Sequence, residues 1–277
     1  MELWFTEDQT EGYRVSYRVK ETLHREKTRF QDLAILDTVE YGRALVLDGI
    51  MQTAVKDEYI YHEMITHPGL FTHPEPRRVL VIGGGDGGVV REALRHPAVE
   101  RIDLVEIDEA VIRACRQYLP EIAGRLGDER VNIIIEDGIK YVLTVHDRYD
   151  VAIVDAPDPV GPAVGLFEHP FYAGLRRALK PDGLLVAQTE SPFFNRDIVR
   201  RTYSSLFKLF KVTRLFLACI PIFPGGLWTF TLASQRHDPL KAEPRGDLVR
   251  SMGLQYYNRE VHHAAFALPE FVKKIIY

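Results

Sequence analysis

The chain holds little that would announce a membrane, a nucleic acid or a metal. Its two cysteines, Cys115 and Cys219, stand far apart and form no Cys-x-x-Cys pair. That spacing fits a reducing cytoplasm and no zinc site. No apolar run approaches the roughly 18 residues that suggest a transmembrane helix. A net charge of only −4 over 277 residues gives no electrostatic footprint for nucleic acid. Internal repeats and low-complexity tracts are missing too. The opening octet, Met1 to Asp8, is acidic and mixed, unlike a signal peptide. A cytoplasmic protein with neither membrane nor nucleic-acid partner is therefore expected. An apolar fraction of 46% and a charged fraction of 27% are ordinary for a globular chain. The length suits one large domain with a smaller companion.

Residues 1–57 read as a small N-terminal β-domain. Tyr13 to Lys20 alternates apolar and polar residues, and Ala34–Thr38 and Arg43–Asp48 flank a turn at Glu40-Tyr41-Gly42. Asp57 reads as the N-cap of a helix from Glu58 to His67 that ends at Pro68-Gly69. From Arg77 onward strands alternate with helices. Strands fall at Val79–Gly83, Arg101–Ile107, Val131–Glu136, Val151–Asp155 and Leu184–Thr189, and Val212–Cys219 and Leu227–Ala233 read as an antiparallel edge. Residues 58–277 are thus expected to form an α/β domain. Its Rossmann-like, methyltransferase-type, mostly parallel sheet would carry helices on both faces.

The segment Val79-Leu80-Val81-Ile82-Gly83-Gly84-Gly85-Asp86-Gly87-Gly88 is a buried strand running into a glycine-rich turn that opens a helix. Such turns normally cradle a nucleotide. Here Asp86 sits inside the turn, where a carboxylate would repel pyrophosphate and welcome a cation. Ligands of open α/β sheets bind beyond the carboxyl ends of the strands. Each of the first four strands of this sheet ends in or near an acid: Asp86, Glu106, Asp137, and Asp155 with Asp158 close behind. Glu106 lies 20 residues beyond Asp86, the spacing of an acid that binds ribose hydroxyls. Asp137, before Gly138, suits either an adenine amine or the N-cap of the next helix. In Asp155-Ala156-Pro157-Asp158-Pro159 the prolines would fix both carboxylates in place. Clustered carboxylates repel one another, and a cationic guest relieves that repulsion.

Four segments together resemble the spermidine synthases, the polyamine aminopropyltransferase family. They are Gly83 to Gly88, Tyr59-Ile60-Tyr61-His62-Glu63-Met64, Asp155 to Pro162, and Gly226-Leu227-Trp228-Thr229-Phe230-Thr231. The resemblance runs over nearly the whole chain. It implies transfer of an aminopropyl group from decarboxylated S-adenosylmethionine, a co-substrate, to putrescine. Spermidine and 5′-methylthioadenosine would result, with no metal or other cofactor. By this likeness Asp155 is the general base, and Asp86, Asp155, Asp158, Tyr61 and His62 border the polyamine. Gln31, Glu106, Asp137, Gly138 and Pro162 would line the nucleoside site, with Trp228 near the polyamine pocket. A homodimer or homotetramer is implied as well. On the residues alone, Tyr61 and His62 would be the exposed face of a helix. One departure stands out: the family shows Asp-Ser-Thr-Asp-Pro or close variants where this chain has Ala156-Pro157 between its acids. That leaves acceptor preference open among putrescine, cadaverine, agmatine and longer polyamines. The runners-up are an S-adenosylmethionine-dependent methyltransferase, a non-catalytic nucleoside-binding module and a dinucleotide-dependent dehydrogenase. Asp86 disfavours the first and last, which would need room for a carboxylate or a pyrophosphate.

Overall fold

A computed structural model gives the fold and describes residues 2–158 and 161–277. The chain opens with five strands, β1 (Leu3–Thr10), β2 (Tyr13–Lys27), β3 (Asp32–Thr38), β4 (Gly42–Leu47) and β5 (Ile50–Ala54), paired antiparallel in chain order. Helix α1 (Glu58–Thr72) leads into β6 (Arg78–Gly83), α2 (Gly88–Ala93), β7 (Arg101–Glu106), α3 (Glu109–Tyr118), α4 (Pro120–Ala123), β8 (Val131–Ile135), α5 (Gly138–Thr144) and β9 (Tyr149–Asp155). A 3-10 turn at Gly161–Phe167 precedes α6 (His169–Ala178), β10 (Leu179–Gln188), α7 (Arg196–Leu209), β11 (Val212–Cys219) and β12 (Leu227–Ser234). Helices α8 (Gly246–Met252), α9 (Arg259–Ala265) and α10 (Glu270–Ile276) close the chain.

The second sheet has the order β11-β12-β10-β9-β6-β7-β8. Strands β8, β7, β6, β9 and β10 are parallel, and β12 and β11 run antiparallel at one edge. Counted along the chain within this sheet, the order is 3-2-1-4-5-7-6. A dinucleotide-binding sheet ends 4-5-6 instead, so the swapped antiparallel edge marks the methyltransferase-type arrangement read from the sequence. Both faces are covered. In β6, Val79 and Val81 join a core shared with α1 and the N-terminal sheet, while Leu80 and Ile82 join a second core under α5 and α6. Each fully buried side chain of this size stabilises the fold by roughly 1.5–3 kcal/mol.

Two local expectations change. The sequence stops the first helix at Pro68-Gly69, but α1 continues through both to Thr72. Packing overrides the breaker, because nearly every residue of α1 is buried. The Thr72 hydroxyl donates to Pro68 O at 2.6 Å. Gly69 is there for closeness: a Cβ on it would sit 2.6 Å from Val186 Cγ2 of β10. Asp57 makes no side-chain cap. Its Oδ2 instead accepts the Ile222 N–H at 2.8 Å, tying the start of α1 to the loop between β11 and β12. Helices α7, α8 and α9 are absent from the sequence reading. Among the described residues no helix is long and apolar enough to cross a membrane.

The closeness of α1 to the sheet is testable. Gly69→Ala should destabilise the fold by about 1–3 kcal/mol through overpacking against Val186, read as a lower urea midpoint. An unchanged midpoint would mean that the contact is soft.

Candidate active site

The site lies where the strand order reverses, between β6 and β9. Gly83 and Asp155 are register partners at the carboxyl ends of these strands, the position where open α/β sheets leave a crevice. Gly83 has φ +75°, and a Cβ there would lie 2.2 Å from Asp155 O. No other residue could turn the chain so close to the neighbouring strand. The Gly84 N–H then donates to Asp155 O at 3.0 Å. Further on, the His62 ring lies against Gly88, where a Cβ would come within 2.3 Å of it.

Asp86 lines the crevice, as expected, but it does not stand as a bare carboxylate. Its Oδ1 accepts the Gly88 N–H at 2.8 Å, and its Oδ2 lies 3.3 Å from His62 Nε2. His62 Nδ1 meets Glu58 Oε2 at 2.5 Å, and Arg91 clamps Glu58 with two contacts of 2.8 Å. Burial opposes charge on His62. The carboxylates of Asp86 and Glu58 on its two nitrogens outweigh that penalty and hold its pKa well above the ordinary value. The imidazolium in turn keeps Asp86 ionised, below the usual carboxylate range despite its burial. Tyr61 and His62 are both buried, so the alternative reading of them as an exposed helix face is wrong. The reason is the close seating of α1 on the sheet.

Asp155 ends β9 beside this pair. The Tyr61 hydroxyl donates to its Oδ1 at 2.6 Å. Burial, reinforced by the Asp86 charge, raises the pKa of Asp155 to about 6. One ligand-capable atom from each of His62, Asp86 and Asp155 lies within 4.8 Å of the others. These groups could reach a metal ion, yet the His62 cation already occupies that electrostatic role. Asp158 also lines the crevice, and burial raises its pKa.

Several further residues escaped the sequence reading. Glu190 follows β10 in a left-handed conformation, φ +76°, unusual for a residue other than glycine. It is fully buried. Gln188 Nε2 donates to its Oε1 at 3.1 Å, and Asn195 Nδ2 to its Oε2 at 2.5 Å. Burial, reinforced by Asp158, pushes its pKa up to about 8. The signal was present: Glu190 follows the fifth parallel strand just as the other acids follow the first four. Gln188 lines the crevice and accepts from Trp228 Nε1 at 3.2 Å. Trp228, which the resemblance already placed near the polyamine pocket, lines it as well, buried and packed on Phe223 with centroids 4.6 Å apart. Glu7 enters from β1 of the other sheet. It is 2% exposed, accepts the Met51 N–H at 2.9 Å, and has its pKa raised by burial to about 7. No local pattern distinguishes Glu7 from the exposed acids around it.

The other half of the crevice sets acids and a glycine beside apolar walls. Glu106 ends β7, and burial raises its pKa to about 7. Its Oε1 accepts the Asp108 N–H at 2.9 Å. Asp108 caps α3 through Ala110 N and receives Gln31 Nε2 at 3.0 Å, which holds Gln31 at the rim. Asp137 caps α5, accepting the Ile139 N–H at 2.9 Å, and still lines the crevice with Gly138. The capping role and the lining position coexist. Ile82, Val105 and Leu166 supply apolar walls. Pro162 falls in the 3-10 turn, and its side chain lies outside the described residues.

Comparison with known proteins covers the whole chain. The family model described as the spermine/spermidine synthase domain matches residues 58–242, and that described as the spermidine synthase tetramerisation domain matches residues 3–54. A polyamine aminopropyltransferase of Desulforudis audaxviator is 54% identical over 272 residues, covering 98% of each chain. One from Caldicellulosiruptor saccharolyticus is 52% identical over 276 residues, covering 100% of this chain and 99% of its own. A crystal structure of spermidine synthase in complex with the transition-state analogue AdoDATO superposes with a TM-score of 0.96 at 39% identity, covering 99% of this chain and 94% of that one. Spermidine synthase from Thermotoga maritima gives 0.92 at 38% identity over the same shares.

The buried Glu106 carboxyl has a measurable consequence. Its pKa is raised from 4.5 to about 7 in the ligand-free fold, so the folded chain holds that proton more tightly than the unfolded chain. Glu106 therefore favours folding fully below about pH 4.5, and the advantage is lost as pH rises through 7. The stability of the wild type minus that of Glu106→Gln should fall by about 3 kcal/mol across that window, read by urea unfolding in a pH series. A flat difference would show that Glu106 is not desolvated.

Proposed function

The chain belongs to the spermine/spermidine synthase family, and from that premise we propose how its crevice performs aminopropyl transfer. The protein is a polyamine aminopropyltransferase, moving an aminopropyl group from decarboxylated S-adenosylmethionine to putrescine. In our reading Glu106 accepts the ribose hydroxyls, while Asp137, Gly138, Gln31 and Pro162 border the adenine end. Asp86 faces the ammonium of the aminopropyl arm. Together with Asp155 and Asp158 it keeps the acceptor half negative despite the His62 cation. That disfavours the carboxylate of intact S-adenosylmethionine.

The observation that carries the mechanism is the Tyr61–Asp155 hydrogen bond of 2.6 Å at the strand-order reversal. It orients one carboxylate oxygen and leaves Oδ2 for the incoming amine. A primary ammonium titrates near about 10 and cannot attack while protonated. Asp155, with its pKa raised to about 6, is a stronger base than an ordinary carboxylate and takes that proton. The nitrogen lone pair then attacks the methylene carbon bound to sulfur. As the N–C bond forms, the C–S bond breaks, and its electron pair leaves with sulfur as the neutral thioether 5′-methylthioadenosine. A neutral leaving group needs neither a general acid nor a metal. Alignment of the two substrates for in-line displacement accounts for much of the rate. Asp158, backed by Glu190 and with Glu7 near by, receives the distal ammonium of the diamine, while Tyr61 and Trp228 flank its methylenes. His62 positions Asp86.

We further read residues 1–57 as a structural unit separate from the catalytic residues 58–277. The N-terminal sheet, with Leu3 and Trp4 about half exposed, would form the contact of a homotetramer, as the name of the matching family model suggests. A cytoplasmic location fits the two unpaired cysteines.

Purified protein given decarboxylated S-adenosylmethionine and putrescine should yield spermidine and methylthioadenosine in equal amounts. A thermal shift with NAD and none with methylthioadenosine would overturn the site reading. Asp155→Asn should lower kcat by about 10²–10⁴-fold and leave methylthioadenosine affinity nearly unchanged. Near-normal turnover would remove Asp155 as the base. Asp158→Asn should raise the KM for putrescine at least about tenfold, the loss of one charge-assisted contact, without a matching rise for the donor.

A further inference from the structure

A second cluster of ligand-forming side chains lies at the other end of the parallel sheet. His73 follows the C-terminus of α1. Asp182 lies in the irregular start of β10, before its regular pairing with β9 resumes at Leu184. His237 follows β12, whose last residue Ser234 pairs with Leu184. All three sit at the amino ends of the parallel strands, roughly 20 Å, one strand length, from the crevice. One ligand-capable atom of each lies within 4.8 Å of those of the other two. The two rings are 5.2 Å apart between centroids, at 66° to each other.

Two buried nitrogens point to a missing guest. His73 is 5% exposed, and its Nε2 has no hydrogen-bond partner among the described residues. His237 Nε2 is buried and unpartnered in the same sense. Buried polar atoms are rarely left so without a water or an ion. We propose that His73, Asp182 and His237 bind a divalent transition cation of the Zn²⁺ class, which ties the end of α1 to strands β10 and β12. Two imidazoles and one carboxylate suit Zn²⁺, Ni²⁺ or Cu²⁺, whereas Mg²⁺ and Ca²⁺ prefer oxygen donors. Three protein ligands plus water complete a tetrahedron. Ligand atoms about 2 Å from zinc lie about 3.3 Å apart, so the cluster must contract slightly. Asp182 and His237 are only partly buried and can supply that movement.

Neighbouring groups are compatible with this. Glu75 N–H donates to His73 Nδ1 at 3.1 Å. A ring bound through Nε2 carries its proton on Nδ1, so this contact opens on binding. Glu75 is exposed, and its N–H turns to water. Lys180 is engaged by Asp150 at 2.6 Å, and Arg236 is exposed. Burial lowers the pKa of both histidines, which favours the neutral rings that ligate metals.

The test is equilibrium dialysis of the chelator-stripped full chain against Zn²⁺. Saturating methylthioadenosine and spermidine keep the ion away from His62, Asp86 and Asp155. Wild type should bind one equivalent and show a raised thermal midpoint, and Mg²⁺ should do neither. Asp182→Asn and His237→Ala, both on the solvent side, should weaken Zn²⁺ binding at least about tenfold and abolish the thermal shift. Their transfer activity in chelator should match that of wild type. No zinc bound by wild type, or equal affinity in both variants, overturns the proposal.

Discussion

Like charges gathered at one edge of a buried sheet repel one another, and the arrangement around this crevice answers that repulsion. Ligand-capable atoms of Asp86 and Asp155 lie within 4.8 Å, a distance at which two carboxylates repel by about 3 kcal/mol at an effective dielectric near 20. The structure relieves this in two ways. Near the glycine loop it inserts a cation: Arg91 fixes Glu58, and Glu58 and Asp86 together hold His62 charged. Near Asp158 it desolvates instead, so that Glu190 and Glu7 have their pKa values raised to about 8 and 7. One group of acids stays ionised beside a fixed cation, while the other holds its protons until a guest arrives.

This division matches the chemistry. In the proposed reading the donor brings a sulfonium and an ammonium to acids that stay ionised whether or not it is bound. In the proposed binding mode the diamine brings a distal ammonium to the buried acids near Asp158. A positive guest there lowers their pKa values and releases protons as it binds. Asp155 sits between the two regions with an intermediate pKa, about 6. It is ionised at neutral pH and more basic than an ordinary carboxylate, as the proposed role of proton acceptor requires.

Much of this was legible in the sequence because the parallel strands are short and buried on both faces. Their apolar runs stop abruptly, and whatever follows must lie at the carboxyl edge. Asp86, Glu106, Asp137 and Asp155 were found by that rule, and Glu190 obeys it too, after β10. The His62 cation was harder to read. Its charge depends on Glu58 one turn before it and on Asp86 and Arg91 beyond the next strand, contacts set by how α1 lies on the sheet. The same packing carries α1 through Pro68, which local propensity reads as a stop. Glu7 belongs to a different sheet, and its approach to the crevice follows from how the N-terminal strands dock.

Gly69 shows why these features depend on one another. Its missing side chain lets α1 approach β10 closely. Tyr61 and His62, two turns earlier on the same helix, are thereby set against Asp155 and Gly88. If α1 stood off by the width of a methyl group, the 2.6 Å bond from Tyr61 to Asp155 would lengthen and water would enter beside His62. The imidazolium would then be screened, Asp86 and Asp155 would be hydrated, and the raised pKa of Asp155 would relax toward that of an ordinary carboxylate. The glycine loop alone makes a nucleoside crevice. The close seating of the helix beside it suits that crevice to moving an aminopropyl group from a sulfonium sulfur to an amine.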